Sequence, residues 1–265
     1  LIEWKPKEGK ELLELEDLKS ILDSQGDEVA LLLIGGVNYY TGQYLDIKKI
    51  AELGHAKKCM VGIDLAHGAG NIQPNLHDSS IDFAAWCTYK YLNSGPGSLS
   101  GLFVHEKHAQ RKDLPRFAGW WNHNKETRFN MRQPFDVMSG AEGWQLSNPP
   151  ILSMAAIKAS LDIFEKVGMD ALLKKSKKLT GFFEYLINEI ASDTIKIITP
   201  TNPNERGCQL SLQVKNADKN LHKKLTENNI ITDWREPDVI RCAPVPMYTS
   251  FEDVYHMVTI LESLL

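Results

Sequence analysis

The chain has little of what would mark it for nucleic acid, membrane or disulfide chemistry. Its 34 acidic residues outnumber its 30 basic ones, giving a formal charge of -4, and a chain without a basic field has no electrostatic pull on nucleic acid or acidic lipid. No apolar run approaches the ~18 residues that a membrane helix needs. A charged start followed by an apolar stretch and a small-residue cleavage site, the mark of a signal peptide, is missing. Only four cysteines occur, Cys59, Cys87, Cys208 and Cys242. Scattered without metal-ligand spacing and mostly set in apolar runs, they point to reduced, buried thiols, a cytoplasmic setting and no metal centre. Internal repeats and low-complexity segments are lacking too. What remains is a globular chain of 265 residues, 43% hydrophobic, with enough apolar content for a substantial core and a small molecule as its default partner.

The apolar pattern predicts an α/β fold. Leu12, Leu15, Leu18, Ile21 and Leu22 fall at helical spacing within residues 8–24. Val29 to Ile34 is an unbroken apolar run into Gly35-Gly36, the signature of a buried strand and a turn. A second helix over residues 46–57 and strands ending at Asp64, near Cys87 and at His105 follow, so a largely parallel sheet is expected. Residues 106–148 lose periodicity and collect aromatics with Arg and His, an irregular excursion of the length that usually carries function. Pro149-Pro150 then opens a helix over residues 151–167, read as a bridge between domains. The boundary is placed there: residues 1–148 form part of a large domain, and 149–265 a small α+β domain. The latter is expected to hold a helix from Met169 to Ile190, strands over 195–199, 208–214, 230–234 and 239–243, a helix over 217–228, and a last helix capped by Ser250 with Asp253.

The stretch from Val61 to Asn93 carries the chemistry. Its two halves, VGIDLAHGAGN and FAAWCTYKYLN, each read as a buried strand that delivers side chains to the rim of a sheet. Asp64 and Lys90 there match what pyridoxal phosphate requires: a lysine amine for its aldehyde and a carboxylate to keep its pyridine ring protonated. Plainer roles fit the same residues. A strand-end Asp is often a turn former or helix cap, His67 fits a satisfied core histidine, and a lone lysine is commonly a solvated surface group.

Six segments, Val37 to Gln43, Asp64 to Asn71, Trp86 to Asn93, Ser147 to Pro150, Glu205 to Leu210 and Ile240 to Tyr248, taken in this order along the chain, closely resemble the kynureninase family. The resemblance covers nearly the whole chain. It implies the aspartate aminotransferase-like fold of pyridoxal phosphate enzymes, with Lys90 carrying the cofactor, Asp64 on the pyridinium and His67 beside it. It also implies Tyr40 and Tyr89 at the phosphate, Tyr89 doubling as a proton donor, Trp120 and Asn148 around the phosphate and cofactor pocket, His123 in the same aromatic loop facing substrate, and Arg241 on the substrate α-carboxylate. An arginine inside an apolar strand supports that last role, because an unpaired buried charge is costly.

The reaction so implied is hydrolysis of L-kynurenine or 3-hydroxykynurenine to anthranilate or 3-hydroxyanthranilate plus L-alanine, in tryptophan catabolism and NAD biosynthesis, by a cytoplasmic homodimer. Family members carry a further half, with the phosphate-binding turn and the aromatic that stacks on the cofactor, which is expected before Leu1. Gly35 stands where a serine is expected. A chain lacking that half is expected to bind cofactor weakly. Two alternatives are a non-catalytic kynureninase-like fragment and a cysteine desulfurase-like lyase, the latter needing a mobile loop cysteine.

Overall fold

The apolar runs and amphipathic segments fold as two sheets, each with its own core, and the first sheet positions the chemistry. The computed structural model describes residues 1–130, 134–190 and 193–265. Helix α1 (Leu15–Gln25), strand β1 (Leu31–Gly35), helix α2 (Ile47–Ala56) and strands β2 (Met60–Asp64), β3 (Phe83–Cys87) and β4 (Ser100–Val104) make the first unit. Helices α3 (Ile151–Val167) and α4 (Met169–Glu189), strands β5 (Ile195–Ile197) and β6 (Leu210–Val214), helix α5 (Lys219–Glu227), strands β7 (Asp233–Arg235) and β8 (Val239–Cys242) and helix α6 (Phe251–Leu264) follow.

In the first sheet β1, β2 and β3 lie parallel in that order, and β4 adds antiparallel to β3. The register sets Gly35 beside Asp64 and Asp64 beside Ala85, so the carboxyl ends of three strands open on one rim. Leu18 and Leu22 of α1, Ile50 and Ala51 of α2, and Val61 and Ile63 of β2 close the first core. β1 is not buried as its apolar run predicts. Leu32 and Ile34 pack on that core, but Leu31 and Leu33 are 45% and 58% exposed, because α1 and α2 cover one face of the strand only. Helix α1 begins at Leu15 rather than near Glu8 because the Gln43 side chain engages both the N–H and the carbonyl of Leu13, each at 2.9 Å. An extended segment bound in this way has no backbone groups left for a helix.

The second sheet runs β5-β6-β8-β7, all antiparallel. α4, α5 and α6 bring Leu179, Phe183, Leu225 and Leu261 onto Leu210, Leu212 and Ile240. Ser211, on the opposite side of β6 from Leu210 and Leu212, is 0% exposed, so this strand is covered on both faces rather than on one. The capping box joining Ser250 and Asp253 opens α6. The aromatic excursion consists of short 3-10 turns and loops among its described residues; residues 131–133, which fall within it, lie outside the description. Arg116 stacks over Trp144 and Arg128 over Trp121, so these arginines are spent inside the loop. α3 leaves Ile151 and Leu152 79% and 89% exposed and reaches the loop after Lys90 through Ser160 to the Leu92 carbonyl and Ser153 to the Gly97 carbonyl. No helix among the described residues is long and apolar enough to cross a membrane.

Candidate active site

Three loops leave the carboxyl ends of the parallel strands, and backbone geometry forces them together. Gly70 adopts φ +80°, where an L side chain is strained, and a Cβ there would lie 2.7 Å from the Tyr91 carbonyl. The loop after Asp64 can therefore press on the loop that carries Lys90, and the rings of His67 and Tyr91 meet edge to face at 5.8 Å.

A seam of buried polar groups brings in the second sheet. Gln209 donates to the Tyr39 and Tyr40 carbonyls, Ser211 donates to the Tyr40 carbonyl at 2.5 Å, and Thr199 donates to the Thr41 carbonyl at 2.6 Å. Asn71 donates to the His67 carbonyl and accepts from the Cys208 N–H. Thr41, Asn71, Gln209 and Ser211 are all almost fully buried, so each bond replaces a lost water contact. Spacing along the chain does not show that these segments dock on one another. Buried polar residues flanking turns were the available signal.

The seam carries Arg241 to the rim, where its Nη1 donates to the Tyr39 carbonyl at 2.6 Å. An open cleft of about 1280 Å³ results, with Asp64, His67, Lys90 and Arg241 among its lining and Leu31 and Leu33 at its apolar end. Four of the residues singled out in the sequence thus share one cavity. Asp64 is exposed, and its Oδ1 accepts the Ala66 N–H at 2.7 Å. His67 has a buried Nδ1 with no hydrogen-bond partner. Burial, then the positive charges of Lys90 and Arg241, lower its pKa to about 4 against the opposing pull of Asp64, so the ring is neutral at pH 7.

Tyr40, Tyr89, Trp120, His123 and Asn148 are absent from the lining. Tyr89 is half exposed, and Tyr40 is part-buried with its hydroxyl pushed up in pKa by desolvation and then by Asp238. Trp120 packs on Phe129, Asn148 is exposed, and His123 is held by Thr127 and by the Asp136 N–H. Two groups that the sequence reading passed over do reach the cleft and its wall. Arg235 lines it, and Asp233 bridges Arg235 to Arg241. No described group of three His, Cys, Asp or Glu residues is placed to hold a metal. All four cysteines are free. Burial drives Cys208 and Cys242 up to about 12, leaving inert thiols.

Comparison with known proteins adds to this geometry. Residues 172–261 match the family model described as the kynureninase C-terminal domain. The chain is 53% identical over 262 residues to the kynureninase of Myxococcus xanthus, covering 99% of this chain and 62% of that protein. It is 46% identical to the kynureninase of Mus musculus, covering 98% of this chain and 58% of that one. The chain therefore spans about three fifths of the length of such relatives. Among solved structures it resembles a C-DES mutant with glycine covalently linked to the PLP cofactor, at TM-score 0.79 and 17% identity over 96% of this chain and 64% of that one. A cysteine desulfurase from Thermococcus onnurineus matches at TM-score 0.75 and 17% identity, over 97% and 64%. At that identity the likeness is one of fold.

Proposed function

We propose that the chain is a member of the kynureninase family and that it contributes the lysine-bearing part of a pyridoxal phosphate site that hydrolyses L-kynurenine or its 3-hydroxy form. The convergence of Asp64, His67, Lys90 and Arg241 on one cleft carries this reading. These residues fit the cofactor. A carboxylate at a strand end, a primary amine on the facing loop and a buried imidazole nitrogen without a partner are the donor set that a phenolic pyridine aldehyde needs.

When bound, pyridoxal phosphate supplies an aldehyde for a lysine amine and a protonated ring that draws electrons from the substrate α-carbon. Asp64 would keep the ring nitrogen protonated, its Oδ1 taking the Ala66 N–H and its second carboxylate oxygen serving that task. His67, neutral and half-buried, would add no charge to the cofactor pocket. The Lys90 amine takes the proton from the substrate α-carbon. Arg241, anchored through Tyr39, holds the α-carboxylate and so fixes which substrate bond faces the lysine. The family resemblance alone assigns Tyr40, Tyr89, Trp120 and Asn148 to the phosphate side, Tyr89 to a proton transfer and His123 to substrate. It alone supports a homodimer, whereas the cysteine pattern supports a cytoplasmic setting and Pro149-Pro150 a boundary between residues 148 and 149.

Trapping tests the reading. The chain is incubated with pyridoxal phosphate, reduced with borohydride and digested, and the modified lysine is located by mass. Label on Lys90, lost in Lys90→Ala, is expected; label spread over surface lysines with none at Lys90 overturns the assignment. Formation of anthranilate from L-kynurenine, followed by its fluorescence, tests turnover.

A further inference from the structure

On β7, Asp233 and Arg235 flank Trp234, so both side chains leave the same side of the strand. The register then sets Asp233 opposite Arg241 of β8. A single carboxylate oxygen, Asp233 Oδ2, consequently serves two guanidinium groups, Nη2 of Arg235 at 2.9 Å and Nη2 of Arg241. The cluster holds two cations and one anion at the wall of the cleft. The Nε of each arginine is buried without a hydrogen-bond partner. The partners differ in freedom. The Arg241 side chain is 10% exposed and that of Asp233 44%, and Arg241 is pinned to the Tyr39 carbonyl, while Asp233 begins a three-residue strand at the sheet's edge.

We propose that Asp233 is a resident counter-anion, which an incoming amino-acid carboxylate displaces from Arg241 and which then remains on Arg235 alone. The proposal rests on the reading of Arg241 as the carboxylate-binding group. Without a ligand, Asp233 spares Arg241 the cost of an unpaired, nearly buried charge. When a ligand arrives, the two guanidinium groups meet two carboxylates and the cluster becomes neutral. The unpartnered Nε–H of Arg241, together with the Nη2 that Asp233 vacates, forms the side-on edge to which a carboxylate binds through both oxygens. Asp233 thus penalises every anion that must take its place on Nη2 of Arg241. Only ligands able to use both donors recover that loss, so the exchange works as a filter against anions that cannot bind side-on.

The 265-residue chain is treated with phenylglyoxal at increasing L-alanine, with L-alaninamide as the uncharged control, and modification of Arg241 is followed by peptide mass. L-Alanine protects Arg241, and Asp233→Asn reaches half-protection at about three- to tenfold less L-alanine, the range expected for removing one partly exposed charged competitor. Asp233→Glu restores the original concentration. Arg235→Gln, which takes away the seat of the displaced carboxylate, raises it. L-Alaninamide protects none of them. If Asp233→Asn needs as much L-alanine as the parent or more, Asp233 orients Arg241 instead of competing for it and the proposal falls; an unchanged Arg235→Gln also overturns it. Absence of protection in every form would instead remove Arg241 as the carboxylate group, and the proposal with it.

Discussion

Asp64 and Asp82 stand at opposite ends of neighbouring parallel strands, and their surroundings are opposite as well. Asp64 closes β2 at the open rim, exposed, with one hydrogen bond from the Ala66 N–H. Asp82 precedes β3 at the other end and is 2% exposed. Its Oδ2 meets His55 at 2.9 Å and the Val61 N–H at 2.6 Å, and its Oδ1 meets His108 and Lys107, both at 2.7 Å. Burial alone would raise this carboxyl, but hydrogen bonds from Lys107, His108, His55 and Val61 outweigh it and hold the pKa far below the usual carboxylate range. A saturated carboxylate fastens α2, β2 and the turn after β4. An unsaturated one at a rim has capacity for a ligand. The number of unfilled hydrogen-bond positions, more than residue type or strand position, separates a saturated aspartate from one free to take a ligand.

The widest gap between them should appear on Asp82→Asn, which leaves two histidines and a lysine around a neutral group. A loss of about 3 to 5 kcal/mol in urea unfolding is expected, as for a buried ion pair stripped of one partner. A loss below that of an ordinary surface change would show the clamp to be incidental. Asn71→Ala, which strands the Cys208 N–H and the His67 carbonyl in the seam, should cost about 2 kcal/mol. It should also loosen the seam, seen as faster amide exchange at Cys208.

His67 gives a smaller effect, visible only with pH. Burial, then the charges of Lys90 and Arg241, lower its pKa from the ordinary 6.5 to about 4 in the folded chain. Between those values the unfolded chain binds a proton that the folded one refuses, so stability falls as pH drops from 6.5 toward 4. His67→Gln should flatten that part of the stability profile; an unchanged slope would mean the ring is not held neutral. Smallest of all, Asp64→Asn keeps an oxygen for the Ala66 N–H and should move stability by no more than about 0.5 kcal/mol, while weakening retention of pyridoxal phosphate. If it proved as destabilising as Asp82→Asn, the distinction between the two carboxylates would collapse.

Much of the fold was legible along the chain because helical and strand periodicities are local. α2, α3 and α4 lie within a residue or so of the spans their apolar spacing predicts. Errors arose where a distant group overrode local preference, as when Gln43 held Leu13 extended or when β1 was left open on one face. The site was legible only in part. Asp64, His67 and Lys90 lie at the end of β2 and on the loops beside it and could be named from one stretch. Asp233 and Arg235 could not, since nothing near them in sequence marks them as partners of a cleft formed mainly by the first sheet.

Spacing within a few residues set the order of elements, the Asp, His and Lys between Val61 and Asn93, and the six segments that resemble the kynureninase family. Tertiary structure alone decided which aspartate would be saturated and which left open, and it alone carried Arg241 to the rim on the Tyr39 carbonyl with Asp233 already in its grip. The physical reason is that burial and hydrogen-bond saturation belong to the neighbours a residue meets in space, and those neighbours come from sheets and loops far apart in the chain.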